Sequence, residues 1–425
     1  MDRSITETYE AILRRELVPA LGCTEPIAIA YAAATACDTL GAMPEHIIVR
    51  CSGNVIKNVK GVVVPMSGDM KGVDCSAVLG TVAGVANLKL EVLSRVAAED
   101  LHRAKELLKK NFCRVELVPD VPGLLIIVEA NLGKDSAVVE IKDGHTNIVR
   151  IEKNGMALSV QGEDPSNSMP DENPDYGLLS LANIFEYIDT SDISSIIPVI
   201  AEQERCNTNI AKEGLSNPYG ERVGATLLQC YGKGIDIQAK ALAAAGSDAR
   251  MSGCAMPVII NSGSGNQGIT ASMPVLAYAQ HLNVSDDKKY RALALSNLVS
   301  IHIKRGIGKL SAFCGAVSAA CGCGAGITYL HDGDLEAISM TITNTLANTP
   351  GIVCDGAKPS CAAKVASAVD SALLSHCMAM QHNVFKPGEG IVMDDIEATI
   401  RNVARIGRDG MRSTDIEILN IMLGN

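Results

Sequence analysis

A chain of 425 residues with no tryptophan and only four phenylalanines has few side chains that can fill wide gaps between packed layers. Yet 47% of its residues are hydrophobic and 38 are glycine. The core must therefore be built from Ala, Val, Ile, Leu, Met and Cys held at close range. That requirement favours tightly packed helices over an aromatic-rich β-sandwich. Length alone suggests roughly two or three domains.

Apolar periodicity predicts a helix over 5–17 and a second, apolar on nearly all sides and so buried, over 25–40. His46–Cys51 and Gly61–Pro65 read as strands, and 86–110 holds helices. Arg114–Val118, Leu124–Ala130, Ser136–Ile141 and Thr146–Glu152 alternate or run apolar between turn signals, which predicts a small antiparallel meander. Residues 162–178 are polar and proline-rich and read as a linker or loop. Beyond them helices are expected at 178–188, 191–204, 207–214, 218–244, 270–282, 285–303, 333–347, 360–382 and 394–408. The fold class predicted is α+β: a mostly helical domain at 170–425, and a smaller α+β segment at 45–165 containing the antiparallel sheet. The N-terminal helices (1–44) are expected to pack on the helical part.

A net charge of −11 gives no footprint for nucleic acid or anionic membrane. The N-terminus lacks the basic-then-apolar order of a signal peptide, and no apolar run is long enough to span a bilayer. A soluble cytoplasmic protein is expected, so the 14 cysteines are read as reduced thiols, some buried and some binding metal. Cys37, Cys75, Cys113, Cys206, Cys230 and Cys377 are expected to be small buried hydrophobes. Cys321 and Cys323, in an Ala/Gly-rich helical stretch, are expected to serve packing.

Three cysteines stand apart: Cys314 in Ser-Ala-Phe-Cys-Gly, Cys354 in Ile-Val-Cys-Asp-Gly and Cys361 in Pro-Ser-Cys-Ala. Their separations are 354 − 314 = 40 and 361 − 354 = 7. Three thiolates leaving one position open would let an iron–sulfur cluster bind a substrate; buried structural thiols are the alternative. Cys361 follows Ser360, an expected N-cap, and a helix N-terminus favours thiolate. Cys23 precedes Thr24, another expected N-cap, with Glu25 in the first turn. That placement lowers a thiol's pKa and suits a base, nucleophile or ligand, or simply a buried helix-start cysteine. Glu25 is a competing base, or serves the helix dipole. Gly263-Ser-Gly-Asn-Gln-Gly268 matches G-x-G-x-x-G, but no βαβ series surrounds it. Ser264, Gly265 and Asn266 are candidates to bind a substrate carboxylate at a helix N-terminus, with a tight packing turn as the alternative. Ser52 and Asn54 are further substrate-binding candidates, or a surface turn. His302, among apolar neighbours, reads as a hydrogen-bonded core histidine.

Taken in order, Gly22-Cys-Thr-Glu-Pro26, Cys51-Ser-Gly-Asn-Val-Ile-Lys-Asn58, Met251-Ser-Gly-Cys-Ala-Met-Pro257, the glycine loop and the three cysteine segments resemble the L-cysteine desulfidase family. That family is related to the α part of iron–sulfur-dependent L-serine dehydratases. The resemblance implies a [4Fe–4S] cluster held by Cys314, Cys354 and Cys361. It implies that Cys23 removes the α-proton of a small amino-acid substrate, resting on the fourth iron when substrate is absent. The implied reaction is β-elimination of L-cysteine to sulfide, ammonia and pyruvate, with L-serine dehydration as the alternative. The chain departs from the serine-dehydratase pattern in having no cysteine after Cys377 to cap a cluster from the C-terminal tail. It is also a single chain with its own α+β segment. Outside this class stand a non-catalytic iron–sulfur redox sensor and a metal-free binding protein with structural thiols. The Ala/Gly-rich helices suggest a homodimer.

Overall fold

The computed structural model describes residues 2–119, 121, 123–158, 174–308 and 310–424. Most of the linker expected at 162–178 lies outside them. The chain opens with α1 (Arg3–Glu16), β1 (Pro19–Leu21), α2 (Thr24–Leu40), β2 (His46–Ser52), α3 (Gly53–Lys60), α4 (Val73–Ala83) and α5 (Ala98–Lys109). The strands β3 (Cys113–Val118), β4 (Leu125–Leu132), β5 (Asp135–Lys142), β6 (Ile148–Lys153) and β7 (Met156–Leu158) follow. Then come α6 (Leu181–Thr190), α7 (Ile197–Ser216), α8 (Val223–Tyr231), α9 (Ile235–Met251), β8 (Pro257–Ile259), α10 (Gly265–Leu282), α11 (Asp286–Ile307) and α12 (Ala316–Leu330). The chain ends with α13 (Leu335–Asn348), α14 (Cys361–Ala379), α15 (Ile396–Arg405) and α16 (Arg412–Leu423). The fold is α+β and mostly helical.

The main sheet has the order β3-β2-β4-β5-β6-β7. Strands β4 to β6 form the antiparallel part of the expected meander, and β7, not anticipated, extends it beyond β6. Strand β3 departs from it: it pairs parallel with β2, which lies between β3 and β4, so the sheet is mixed. The three helices between β2 and β3 supply the crossover that a parallel pair needs. Ile47, Val49 and Cys51 of β2 point to the same buried face as Val128 and Val139, and α2 covers that face.

Several sequence expectations meet corrections. Gly61–Pro65 forms no strand; Val62 and Val64 are buried directly after α3, and Val63 makes only one bridge, to Lys71. The segment 218–244 breaks into α8 and α9 at Gly232, whose φ of 89° ends the first helix. The helices expected at 191–204 and 207–214 are one, because Asn207 stays helical and spends its side chain on Ile259 and Ser272. Helices α4 and α16 were not anticipated. Cys230 and Cys377 are exposed rather than buried. Helix α2 lies on the sheet and α4 instead of on the helical layer, while α1 reaches that layer through Tyr9. The Tyr9 hydroxyl donates to the Leu178 carbonyl at 2.7 Å, and its ring meets Tyr187 edge-on.

Small residues bring the helices close, as the scarcity of aromatics demands. A Cβ added at Gly80 of α4 would lie 2.3 Å from the Ala30 carbonyl oxygen of α2. One at Gly322 of α12 would lie 2.2 Å from the Ser296 carbonyl oxygen of α11. Among the described residues, no helix is long and apolar enough to cross a membrane.

Candidate active site

Residues 312–314 and 352–354 run antiparallel around a Phe313–Val353 bridge. The Cys314 amide donates to the Ile352 carbonyl at 2.8 Å, and the Cys354 amide to the Ala312 carbonyl at 2.6 Å. In that register Cys314 and Cys354 project from the same face, diagonal to one another. Cys361 opens α14 a short loop later. Ser360 is the N-cap position but already has helical dihedrals, and its side chain makes no cap bond, contrary to expectation. All three cysteines line one cavity of about 100 Å³.

A hydrogen bond from Cys314 lowers the Cys354 thiol to about 6 against opposing burial, helped by Lys57, the Gly356 amide and Lys364. The same bond, with burial, raises Cys314, and burial raises Cys361. Lys304 is buried beside them and pushed down to about 8 by burial, although Cys354 and Cys314 oppose the shift. Lys57 donates to the Cys354 carbonyl at 3.2 Å and pairs with Asp415 of α16 at 2.5 Å. The other Asp415 oxygen accepts from the Ala312 amide at 3.0 Å. One buried ion pair thus ties both cysteine loops to the C-terminal helix.

Among the described residues, no three His, Cys, Asp or Glu side chains are grouped to hold a single metal ion. A polynuclear iron–sulfur cluster takes one thiolate per iron, spread over its corners. The donor set of three convergent thiols ringed by lysines fits such a group, which carries net negative charge with its ligands.

Cys23 reaches the same cavity from the far end of the chain. Antiparallel pairing of Leu21 with Pro257 and Pro19 with Ile259 brings the start of α2 beside the glycine loop. Cys23, not Thr24, is the N-cap residue, and it makes no side-chain cap bond. Thr24 instead donates to the Gly263 carbonyl at 3.0 Å. The Cys23 thiol donates to Glu25 Oε2 at 3.2 Å. Its pKa is not lowered as expected: burial, then the Glu25 charge, hold it well above the ordinary thiol value. Burial also disfavours the Glu25 carboxylate. The neighbouring His145, with Nε2 3.7 Å from Oε1, and the Cys23 thiol outweigh burial and hold Glu25 below the usual carboxylate range. Asn58 Nδ2 donates to Glu25 Oε1 at 3.0 Å.

The glycine loop, beside the start of α2, also lines the cavity. Ser264 is the N-cap of α10 without a side-chain cap bond, and Ser264 and Asn266 line the space. Gly265 leaves room for a buried arginine: a Cβ there would lie 2.2 Å from Arg250 Nε. Two other candidates are not brought in. Ser52 is committed to the sheet, donating to the Gly123 carbonyl at 2.8 Å, and Asn54 lines a neighbouring groove. His302 bonds to Glu397 at 2.7 Å, away from the cavity. Sequence reasoning missed Arg250, His145, Gln267 and Lys304 as cavity residues. Asn58 enters the sequence reading only as the last residue of the Cys51–Asn58 stretch.

Fold and site together define a mostly helical α+β protein with a small, buried, thiol-walled cavity beside an ionised carboxylate. The chain belongs to the serine dehydratase alpha chain family, whose model matches residues 87–420. That span contains Arg250 and the three clustered cysteines but not Cys23, Glu25 or Asn58. Similar relatives run the whole length. A UPF0597 protein of Lachnoclostridium phytofermentans is 52% identical over 412 residues, covering 97% of this chain and 98% of that one. UPF0597 proteins of Desulfitobacterium hafniense and Finegoldia magna are 47% and 46% identical, each covering 98% of this chain and 96% and 99% of their own.

Proposed function

We propose that this protein is an L-cysteine desulfidase, eliminating sulfide from L-cysteine to leave pyruvate and ammonia. The observation that carries the reading is convergence: Cys23, Cys314, Cys354, Cys361 and the glycine loop, scattered along the chain, line one cavity. Cys314, Cys354 and Cys361 would hold a [4Fe–4S] cluster, leaving one iron without a protein thiolate. When bound, that group supplies a thiophilic Lewis acid for the leaving sulfur.

The remaining chemistry falls to the chain's own residues. The Cys23–Glu25 pair is the base. As the substrate Cα–H bond breaks, its proton passes to Cys23 Sγ while the Cys23 proton moves to Glu25 Oε2 along the existing 3.2 Å hydrogen bond. The Cα–H electron pair forms the Cα–Cβ double bond as the Cβ–S bond breaks, and hydrosulfide departs with the Cβ–S pair. The aminoacrylate then tautomerises and hydrolyses without further need of the protein. Walls of Leu310, Phe313, Ala316, Ala357 and Val365 limit water beside the thiols and suit a thiol better than a hydroxyl. L-serine dehydration is the second reading, favoured by the family match.

The test is sulfide and pyruvate release from L-cysteine by anaerobically purified, cluster-reconstituted protein, with L-serine in parallel. Equal sulfide and pyruvate from cysteine, with little pyruvate from serine, supports the desulfidase. Pyruvate from serine alone moves the protein to the dehydratases, and silence with both sinks the lyase reading.

A further inference from the structure

Four polar side-chain atoms lining this one cavity are buried without a hydrogen-bond partner, Asn58 Oδ1, Arg250 Nε, Asn266 Oδ1 and Gln267 Oε1, and a fifth, His145 Nε2, has only the Glu25 carboxylate at 3.7 Å. Unpaired buried polar groups are costly, and a cluster of them around one space marks where a polar ligand belongs. Arg250 matters most among them. Its side chain is 2% exposed, and among the described residues it has no carboxylate partner. A guanidinium keeps its charge when buried, and an anionic ligand would supply the counter-ion that none of the described residues provides at close range. It lies beside the uncapped N-terminus of α10, whose free amides favour the same negative charge.

Asn58 offers the opposite chemistry. Its amide orientation is fixed, because Nδ2 donates to the Glu25 carboxylate at 3.0 Å. The oxygen must therefore face the cavity as an acceptor without a donor. Asn266 Oδ1 and Gln267 Oε1 are further unfilled acceptors, and an ammonium group carries three donors.

We infer that Arg250 and Asn58 clamp the two charged ends of a zwitterionic α-amino acid, Arg250 taking the α-carboxylate and Asn58 Oδ1 the α-ammonium. This deepens the amino-acid reading given above and rests on it. The clamp explains Gly265, where any side chain would displace the guanidinium. It also defines the substrate class: free α-amino acids are accepted, while amides and esters are refused for want of a carboxylate and N-acylated cysteines for want of an ammonium.

The experiment is calorimetric binding to the reconstituted protein of L-alanine, which has no β-leaving group, against L-alaninamide, which lacks the carboxylate. Wild-type protein should prefer L-alanine by about 10- to 100-fold, the range of a hydrogen-bonded charge pair. Arg250→Gln should bring that preference close to unity. Gly265→Ala, which keeps the arginine and its charge but crowds Nε, should do the same. Unchanged preference in both variants, absence of preference in the wild type, or absence of L-alanine binding would each overturn the clamp. Binding is read without turnover, so a protein that binds L-alanine through Arg250 yet converts neither cysteine nor serine would lose the lyase reading and keep the clamp. One that turns over cysteine with Arg250→Gln unchanged would do the reverse.

Discussion

The Cys23 thiol donates its proton to the Glu25 carboxylate across 3.2 Å, in a pair set at the first turn of a buried helix. The pair holds a protonated thiol against an ionised acid, the arrangement from which one proton can be exchanged for another. Cys23→Ala and Glu25→Gln should each lower kcat by about 10²- to 10⁴-fold. Iron and sulfide content should stay at wild-type levels in both, because neither residue belongs to the Cys314–Cys354–Cys361 set. Loss of iron in Cys23→Ala would make Cys23 a ligand instead.

Cys314→Ser, Cys354→Ser and Cys361→Ser should each abolish or sharply reduce iron retention after anaerobic reconstitution. The fold should survive, since the bridge between the two loops is made by backbone groups. Cys321→Ser and Cys323→Ser, in the interior of α12, should retain iron. Iron quantification with visible absorption checks all five.

Asp415→Ala leaves Lys57, 1% exposed, without its counter-ion and frees the Ala312 amide. Breaking a buried pair costs about 3–5 kcal/mol. Asp415 is partly exposed, so a loss of about 2 kcal/mol is expected, seen as a lower midpoint in urea. The same variant should lose iron faster to a chelator, because both cysteine loops hang on that carboxylate. A stable variant with unchanged chelation kinetics would contradict the tether.

Burial raises the Asp248 carboxyl from 3.8 to about 6. The folded value lies above the unfolded one, so folding favours the protonated form. Its contribution to stability is complete below about pH 4 and is lost as pH rises through about 6. Asp248→Asn keeps an acceptor for the Gly224 amide, which now donates at 3.1 Å. The variant should therefore gain on the order of 2 kcal/mol over wild type at pH 8 and nothing at pH 4. Thermal midpoints of both proteins from pH 4 to 8 check it.

Gly80→Ala should push α4 away from α2, because its Cβ would meet the Ala30 carbonyl oxygen at 2.3 Å. Overpacking of this kind costs about 1–3 kcal/mol, read as a lower denaturation midpoint.

Much of the fold was legible because its signals are local. The meander was marked by alternation and turns, and α2 by an unbroken apolar run. What failed was decided elsewhere in the molecule. Arg205 and Cys206 read as a helix break, but the partner that Asn207 finds on β8 keeps the helix whole. Val62 and Val64 read as strand because burial was visible and the means of burial was not. In the cavity, the cysteines and the glycine loop carry short patterns that can be noticed in a row of letters. Arg250 and His145 carry none, and Asn58 only closes a longer stretch. Their interest lies in the lack of a hydrogen-bond partner for Arg250 Nε and Asn58 Oδ1 and in the nearness of His145 to the Glu25 carboxylate, properties of the folded neighbourhood. The Cys23 pKa was misjudged for the same reason: the helix start was visible, but the depth of burial and the adjacent carboxylate charge were not.

The cavity wall that begins at Cys23 is completed by Cys361 and Val365. During synthesis, the first of these residues waits while 361 − 23 = 338 further positions are added before the last of the four cavity cysteines exists. No length of nascent chain short of that can enclose the site. Any site that needs all four thiols can close only after Cys361 has been made, and Asp415, which ties down both cysteine loops, comes later still.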